Sequence, residues 1–190
     1  DDSCGVCSGG SSGHTADSDI DECGECFGSG PPDNFTCDSF KPETKSALQT
    51  AVNLWTSNQT QALATYGEIN TWDVSLITNM SSLFKDKGSF NSDIGDWDVS
   101  NVTSMNGMFR TASAFNQDLS GWNVSSVTNM YEMFYYATNF NGDISSWVVS
   151  SVTDMGYMFD YATSFNQALS NWDVSSLTSM YQMFYYATNF

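Results

Sequence analysis

Positive charge is scarce in this chain of 190 residues: five Lys or Arg stand against 22 Asp or Glu, a formal net charge of −17. Such a surface repels a phosphate backbone, which excludes nucleic-acid binding and disfavours an anionic membrane. The complement to the acids is calcium or a basic partner; the plainer reading is that they keep a secreted protein soluble. Charged residues of both signs reach only 14%, against the usual quarter or so. Ser, Thr, Asn and Gly carry the polarity instead, which suits a turn-rich surface. Long apolar runs are also missing, and none approaches the ~18 residues that span a bilayer. No signal-peptide pattern stands at residue 1, although a cleaved leader would leave no trace in a mature chain. Histidine occurs once, as His14, in a Gly/Ser-rich stretch with no nucleophile setting beside it. General acid–base catalysis therefore has no candidates, no catalytic residue is assigned, and the chain reads as a non-enzyme.

Cysteine is absent after residue 37, and Cys4, Cys7, Cys23, Cys26 and Cys37 cluster before that point. A short segment of this kind buries little apolar surface and needs staples. Disulfides supply them in a secreted protein. The two Cys-x-x-Cys pairs, with 15 residues between them, also match a four-thiolate zinc site, and redox chemistry is a third reading. The odd count leaves one thiol free or paired elsewhere. Asp17, Asp19, Asp21 and Glu22 alternate closely enough to converge on one hard cation, which makes calcium the candidate cofactor. The spacing is not that of an EF-hand, because the turn glycine and the closing Glu are missing.

What is abundant is repetition. Trp72, Trp97, Trp122, Trp147 and Trp172 are spaced by 25 residues without an insertion. Val74, Val99, Val124, Val149 and Val174 follow in register, as do Met80, Met105, Met130, Met155 and Met180. Phe84 and Phe90 have counterparts at the same spacing through Phe184 and Phe190. One such unit cannot bury its own apolar columns, whereas stacked units bury them on one another. Within a unit, the β-branched run after each Trp reads as a strand. Residues 130–137 place apolar side chains at i, i+3, i+4 and i+7, which reads as a short helix. Asn91, Asn116, Asn141 and Asn166 form a column able to bond backbone groups of adjacent coils.

The expected organisation is an acidic Cys/Gly-rich segment over 1–40, a helical N-terminal cap over 41–71, and tandem repeats over 72–190, the last incomplete. Helices are expected over 42–53, opened by Pro42, and over 59–66. The stop at Phe190, inside a fifth unit, suggests that the natural chain continues or that order ends there.

The run from Tyr66 through Trp72 to Ser75, followed by Phe-Asn-x-Asp-Ile/Leu-Ser-x-Trp-Asp/Asn-Val-Ser-x-Val-Thr-x-Met-x-x-Met-Phe, resembles the BspA-like surface-protein repeats. These occur in mycoplasma surface lipoproteins and in microbial eukaryotes. The resemblance covers roughly 45–190. It implies a leucine-rich-repeat-like solenoid, here an α/β repeat with strand plus short helix per coil, and a cell-surface setting. It implies no reaction. The chain departs from the pattern at Lys87, Val148 and Ala168, where Ala, Asp or Asn, and Asp are expected.

Sequons stand at Asn34, Asn58, Asn79, Asn101 and Asn123, a number close to chance. Asn79, Asn101 and Asn123 each precede a core-column residue and are expected to point outward. Tyr135, Tyr136, Tyr161, Tyr185 and Tyr186 recur near the end of the helix-like stretch, either packing between coils or lining an exposed strip suited to sugar or protein. Taken together, the expectation is an extracellular structural or assembly protein of a surface layer, appendage or filament, its repeats a scaffold for other protein subunits. The alternative is an adhesion module that binds a protein or glycan through one face.

Overall fold

The computed structural model describes residues 39–190, and Phe40–Phe190 form one compact unit. Cys4, Cys7, Cys23, Cys26, Cys37, Asp17, Asp19, Asp21, Glu22, His14 and Asn34 lie outside the described residues, so a cysteine-stapled segment forms no part of the fold described.

Helix α1 spans Lys45–Ser57. It starts later than the Pro42 signal suggests, because Thr44 is the residue whose side chain caps it, accepting from the Ala47 N–H at 3.2 Å. Leu48, Ala51, Val52 and Trp55 form its buried face. Asn58 ends this helix and begins the next: its N–H donates to the Leu54 carbonyl at 2.7 Å, and its Oδ1 accepts from the Gln61 N–H at 3.2 Å. Helix α2 spans Gln59–Tyr66 and stops at Gly67, whose φ of +70° is left-handed. A single 3-10 turn follows at Ile69–Thr71. Helix α1 lies against the first repeat through Gln49, whose Nε2 donates to the Leu83 carbonyl at 2.9 Å, and through Trp55, whose Nε1 donates to Ser92 Oγ at 2.9 Å.

The expected α/β coil, with a strand and a short helix in each unit of a leucine-rich-repeat-like solenoid, does not form. Among the described residues the only helices are α1, α2 and the 3-10 turn, and there is no strand. Each repeat is built from turns. The helix-like spacing of 130–137 misleads because turns also bring i and i+3 to one side. A helix would return every N–H to its own chain. Here alternate N–H groups leave it: Met130, Glu132, Phe134 and Tyr136 each donate at 2.9 Å to the next repeat, to the carbonyls of Asp154, Gly156, Met158 and Asp160. The N–H groups between them close tight turns, Met133 to Met130, Tyr135 to Glu132 and Ala137 to Phe134. Glu132 and Tyr136 both sit at φ +55°, a left-handed conformation that a right-handed helix does not accommodate. The same two positions are left-handed in every repeat, with Gly107 at one of them.

The strand fails for a related reason. Val124 and Val127 are both buried, and a strand would send residues three apart to opposite faces. The chain turns between them instead. The Val127 N–H donates to the Val124 carbonyl at 2.9 Å, and Asn123 Oδ1 accepts from the Ser125 N–H. Extended pairing shrinks to one parallel bridge per neighbouring pair of repeats, Asn79 with Ser104, then Asn129, Asp154 and Ser179.

Register is held by columns. Phe84, Phe109, Phe134, Phe159 and Phe184 stack ring on ring with centroids 5.3–5.6 Å apart. Within each repeat the second Phe lies on the first, as Phe140 on Phe134 at 3.8 Å. The Trp rings are buried, and from Trp97 onward each indole N–H reaches a carbonyl 28 residues upstream, from Trp97 to Ile69 at 2.7 Å and from Trp147 to Leu119 at 2.9 Å, while Trp72 donates to Gly67. The Asn column bonds as its chemistry suggests: Asn91, Asn116 and Asn141 each accept, through Oδ1, the backbone N–H of the next Asn at 2.8 Å.

Candidate functional site

Outward of the core, the last three repeats differ from the first two. Eight of the nine tyrosines lie between residues 131 and 186, and no Lys or Arg follows Arg110. The lateral ladder fixes where they go. The left-handed position after the second turn is Asp86, Thr111, Tyr136, Tyr161 and Tyr186 in successive repeats, so the three tyrosines fall in one column. Tyr136 and Tyr161 stack at 4.3 Å and 13°, and Tyr161 and Tyr186 at 4.7 Å and 13°. Both readings of these residues therefore hold together: the rings pack between repeats, and Tyr136, Tyr185 and Tyr186 still show much of their surface to solvent.

Tyr131, Tyr157 and Tyr181 form a second row, edge to face, with centroids 5.7 and 5.3 Å apart. Gly156 gives the Tyr131 ring room in this row. A Cβ there would stand 3.2 Å from Tyr131 Cδ2, so a larger residue would push that ring aside by a few tenths of an ångström. Arg110 borders the row: its Nη1 lies 2.5 Å from Glu132 Oε2, and its guanidinium sits 5.0 Å from the Tyr135 ring centre.

Asp160 stands inside this face. It occupies the column of Lys85, Arg110, Tyr135 and Tyr185 and is 3% exposed. Its Oδ1 is the one buried side-chain oxygen without a hydrogen-bond partner among the described residues. Burial raises its pKa above the usual carboxylate range, and the nearby Glu132 adds to the rise. Burial likewise raises the phenols of Tyr131, Tyr135, Tyr157 and Tyr161, while the neighbouring Tyr186 leads the rise at Tyr185. The charge of Asp160 adds to the rise at Tyr135, Tyr157, Tyr161 and Tyr185, of which Tyr135 and Tyr185 stand in its own column one repeat to either side.

The other sequence-derived positions are dispersed. Asn58, Asn79, Asn101 and Asn123 are exposed. Each carboxamide already serves the backbone: Asn101 Nδ2, for example, donates to the Ser75 carbonyl at 2.9 Å. Shallow polar clefts of about 190 and 330 Å³ flank Trp55, lined mainly by Ser, Asn and Gln. Among the described residues no three His, Cys, Asp or Glu side chains cluster closely enough to hold a metal, and no helix is long and apolar enough to cross a membrane. Sequence reasoning singled out most of the tyrosines but missed Asp160, whose one available signal was an acid in a column that otherwise holds cations and tyrosine.

A family described as "Mycoplasma protein of unknown function, DUF285" matches residues 50–160 and again 122–190. No curated protein and no solved structure matches the chain.

Proposed function

The chain belongs to the mycoplasma DUF285 family, and we propose that it serves as an extracellular structural protein of a cell-surface assembly, its repeats forming a protein–protein interaction scaffold. The observation that carries this reading is the one-sided tyrosine face on a laterally hydrogen-bonded stack. Tyrosine offers large contact area at low conformational cost and is enriched where proteins meet. The resemblance to BspA-like surface repeats supports the setting.

Protein contact fits this face better than a glycan does. A sugar needs an open ring face, and in the Tyr136, Tyr161 and Tyr186 column the middle ring is covered on both faces and each outer ring on one, at 4.3 and 4.7 Å. Between the stacked rings only edge and hydroxyl remain outward.

The test replaces Tyr136, Tyr161 and Tyr186 together by Thr, which Thr111 shows the column accepts. Sedimentation and negative-stain imaging of surface material should show the wild-type chain in large ordered assemblies and the triple variant dispersed. Wild-type chain that stays dispersed and binds a glycan array would replace assembly with adhesion. A triple variant that assembles normally would remove the tyrosine face from the account.

A further inference from the structure

We propose that Asp160 and the tyrosines around it form a recognition site for an organic cation, the ammonium of a lysine side chain on a basic segment of a partner protein. The inference rests on the reading of the tyrosine face as a contact surface and adds what that surface selects.

Three independent observations support it. The first is the unpartnered oxygen. A buried carboxylate without a hydrogen bond is costly, and such groups call for a specific reason. The Tyr161 backbone serves the Asp160 carboxylate, but its Oδ1 has no partner, and the residue is only 3% exposed. The chain's own cation cannot supply one, because Arg110 is engaged by Glu132 one repeat earlier. The second is the wall. Tyr135 and Tyr185 stand in the column of Asp160 one repeat to either side, the Asp160 N–H donates to the Tyr157 carbonyl, and Tyr161 follows in the chain; tyrosine rings attract cations through their negative faces. Arg110 over the Tyr135 ring shows the same chemistry within the chain. The third is charge complementarity. From residue 111 onward there are six acids, Asp118, Glu132, Asp143, Asp154, Asp160 and Asp173, and no Lys or Arg. A basic segment is drawn to this half of the molecule, and its lysine finds there a carboxylate already out of water.

A metal ion is a poorer occupant. Glu132 is taken by Arg110, and no third acid joins the cluster among the described residues. An ammonium needs fewer ligands and is favoured by the rings themselves.

The charged group that acts on Asp160 is Glu132, itself paired with Arg110; the four phenols named above respond to the charge of Asp160, and Asp154 acts on Tyr131. Only the ionised carboxylate binds an ammonium, so binding should weaken as acid protonates Asp160 and should release a proton where the free carboxyl is still protonated.

The experiment titrates a tetralysine peptide into the full chain at physiological salt and follows the Asp160 carboxyl carbon by NMR, with tetramethylammonium chloride as a parallel probe. The expected result is a shift of that carbon with the peptide and about a tenfold loss of affinity in Asp160→Asn. Asp118→Asn removes the same charge elsewhere and should leave affinity within about twofold. A Tyr185→Ala variant should weaken binding with Asp160 intact. Tighter binding of tetramethylammonium than of the peptide would overturn the lysine assignment in favour of a small quaternary amine. Equal losses in Asp160→Asn and Asp118→Asn, or an unmoved carboxyl carbon, would reduce the effect to diffuse attraction and overturn the proposal. If assembly is abolished by the Tyr136, Tyr161 and Tyr186 substitutions but the peptide does not bind, the scaffold reading stands and this inference falls.

Discussion

The first two repeats, 72–121, and the later ones, 122–190, share one backbone and differ in what they show to solvent. Both halves have the same left-handed positions, the same lateral N–H ladder and the same Phe and Trp columns. The earlier half places Lys85, Asp86, Arg110 and Thr111 where the later half places Tyr135, Tyr136, Asp160, Tyr161, Tyr185 and Tyr186. The ladder explains why the two can diverge freely. Its bonds join main chain to main chain, so it holds whatever side chain stands outside. The core is therefore common property of the repeats, while the outer columns can be exchanged one position at a time. The tyrosine face is such an exchange, present from residue 131 onward among the described repeats.

The largest test of this comparison lies in the shared core. Trp97→Ala and Trp147→Ala stand on either side of the divide, and both indoles are buried and hydrogen-bonded. Each should cost about 3–5 kcal/mol, read as the fall in unfolding free energy under denaturant. Markedly unequal costs would break the claim of a common core.

A smaller effect, of opposite sign, is expected at Asp160. Its folded pKa lies above the unfolded value, so the folded state holds the proton more tightly, and stability should fall as pH rises through the carboxylate range. Asp160→Asn removes that dependence and should stabilise the chain by about 1–2 kcal/mol at neutral pH, with the gain vanishing in acid. A variant less stable than wild type at pH 7 would show that the carboxylate has a partner after all.

Asp73, near the cap, works in the other direction. A hydrogen bond from Lys41 leads the causes that lower its pKa to about 2, and Lys41 Nζ lies 2.6 Å from its Oδ2. Its contribution is present above the ordinary carboxylate range and is lost as pH falls toward 2. Both side chains are partly exposed, so solvent screening limits it to under about 1 kcal/mol. Lys41→Met should flatten the acid limb of the stability profile by that amount.

The smallest effect concerns a repeat that departs from its own pattern. Asp73, Asp98, Asn123 and Asp173 each accept the backbone N–H two residues on, and Val148 in the same column cannot. Val148 is also 57% exposed. Val148→Asn should restore the bond to Ser150 and raise stability by about 0.5–1 kcal/mol. No change in melting temperature would mean that the turn needs no side-chain support.

Much of the fold was legible because period survives in sequence when conformation does not. The Trp, Phe and Asn columns follow from identical residues recurring every 25 positions, and burial and hydrogen bonding agree with them. The strand and helix expected within each repeat were illegible in principle. Met130, Met133, Phe134 and Ala137 fit a helix and a chain of tight turns equally well, and only lateral competition for Glu132 and Tyr136 N–H groups separates the two. The tyrosines were visible as a recurring cluster, but their ring-on-ring stacking was not.

By itself, then, the sequence determined the repeat length, which residues share a column, the acidic balance and the place of the cap. Each follows from residue identity or local chemistry alone. The tertiary structure decided the conformation inside each repeat, because alternate N–H groups of the 130–136 stretch and its counterparts bond to a neighbour 24 residues away. It also decided the standing of Asp160, an acid like any other along the chain. Stacking buries it among tyrosines, one repeat beyond the ion pair that engages Arg110.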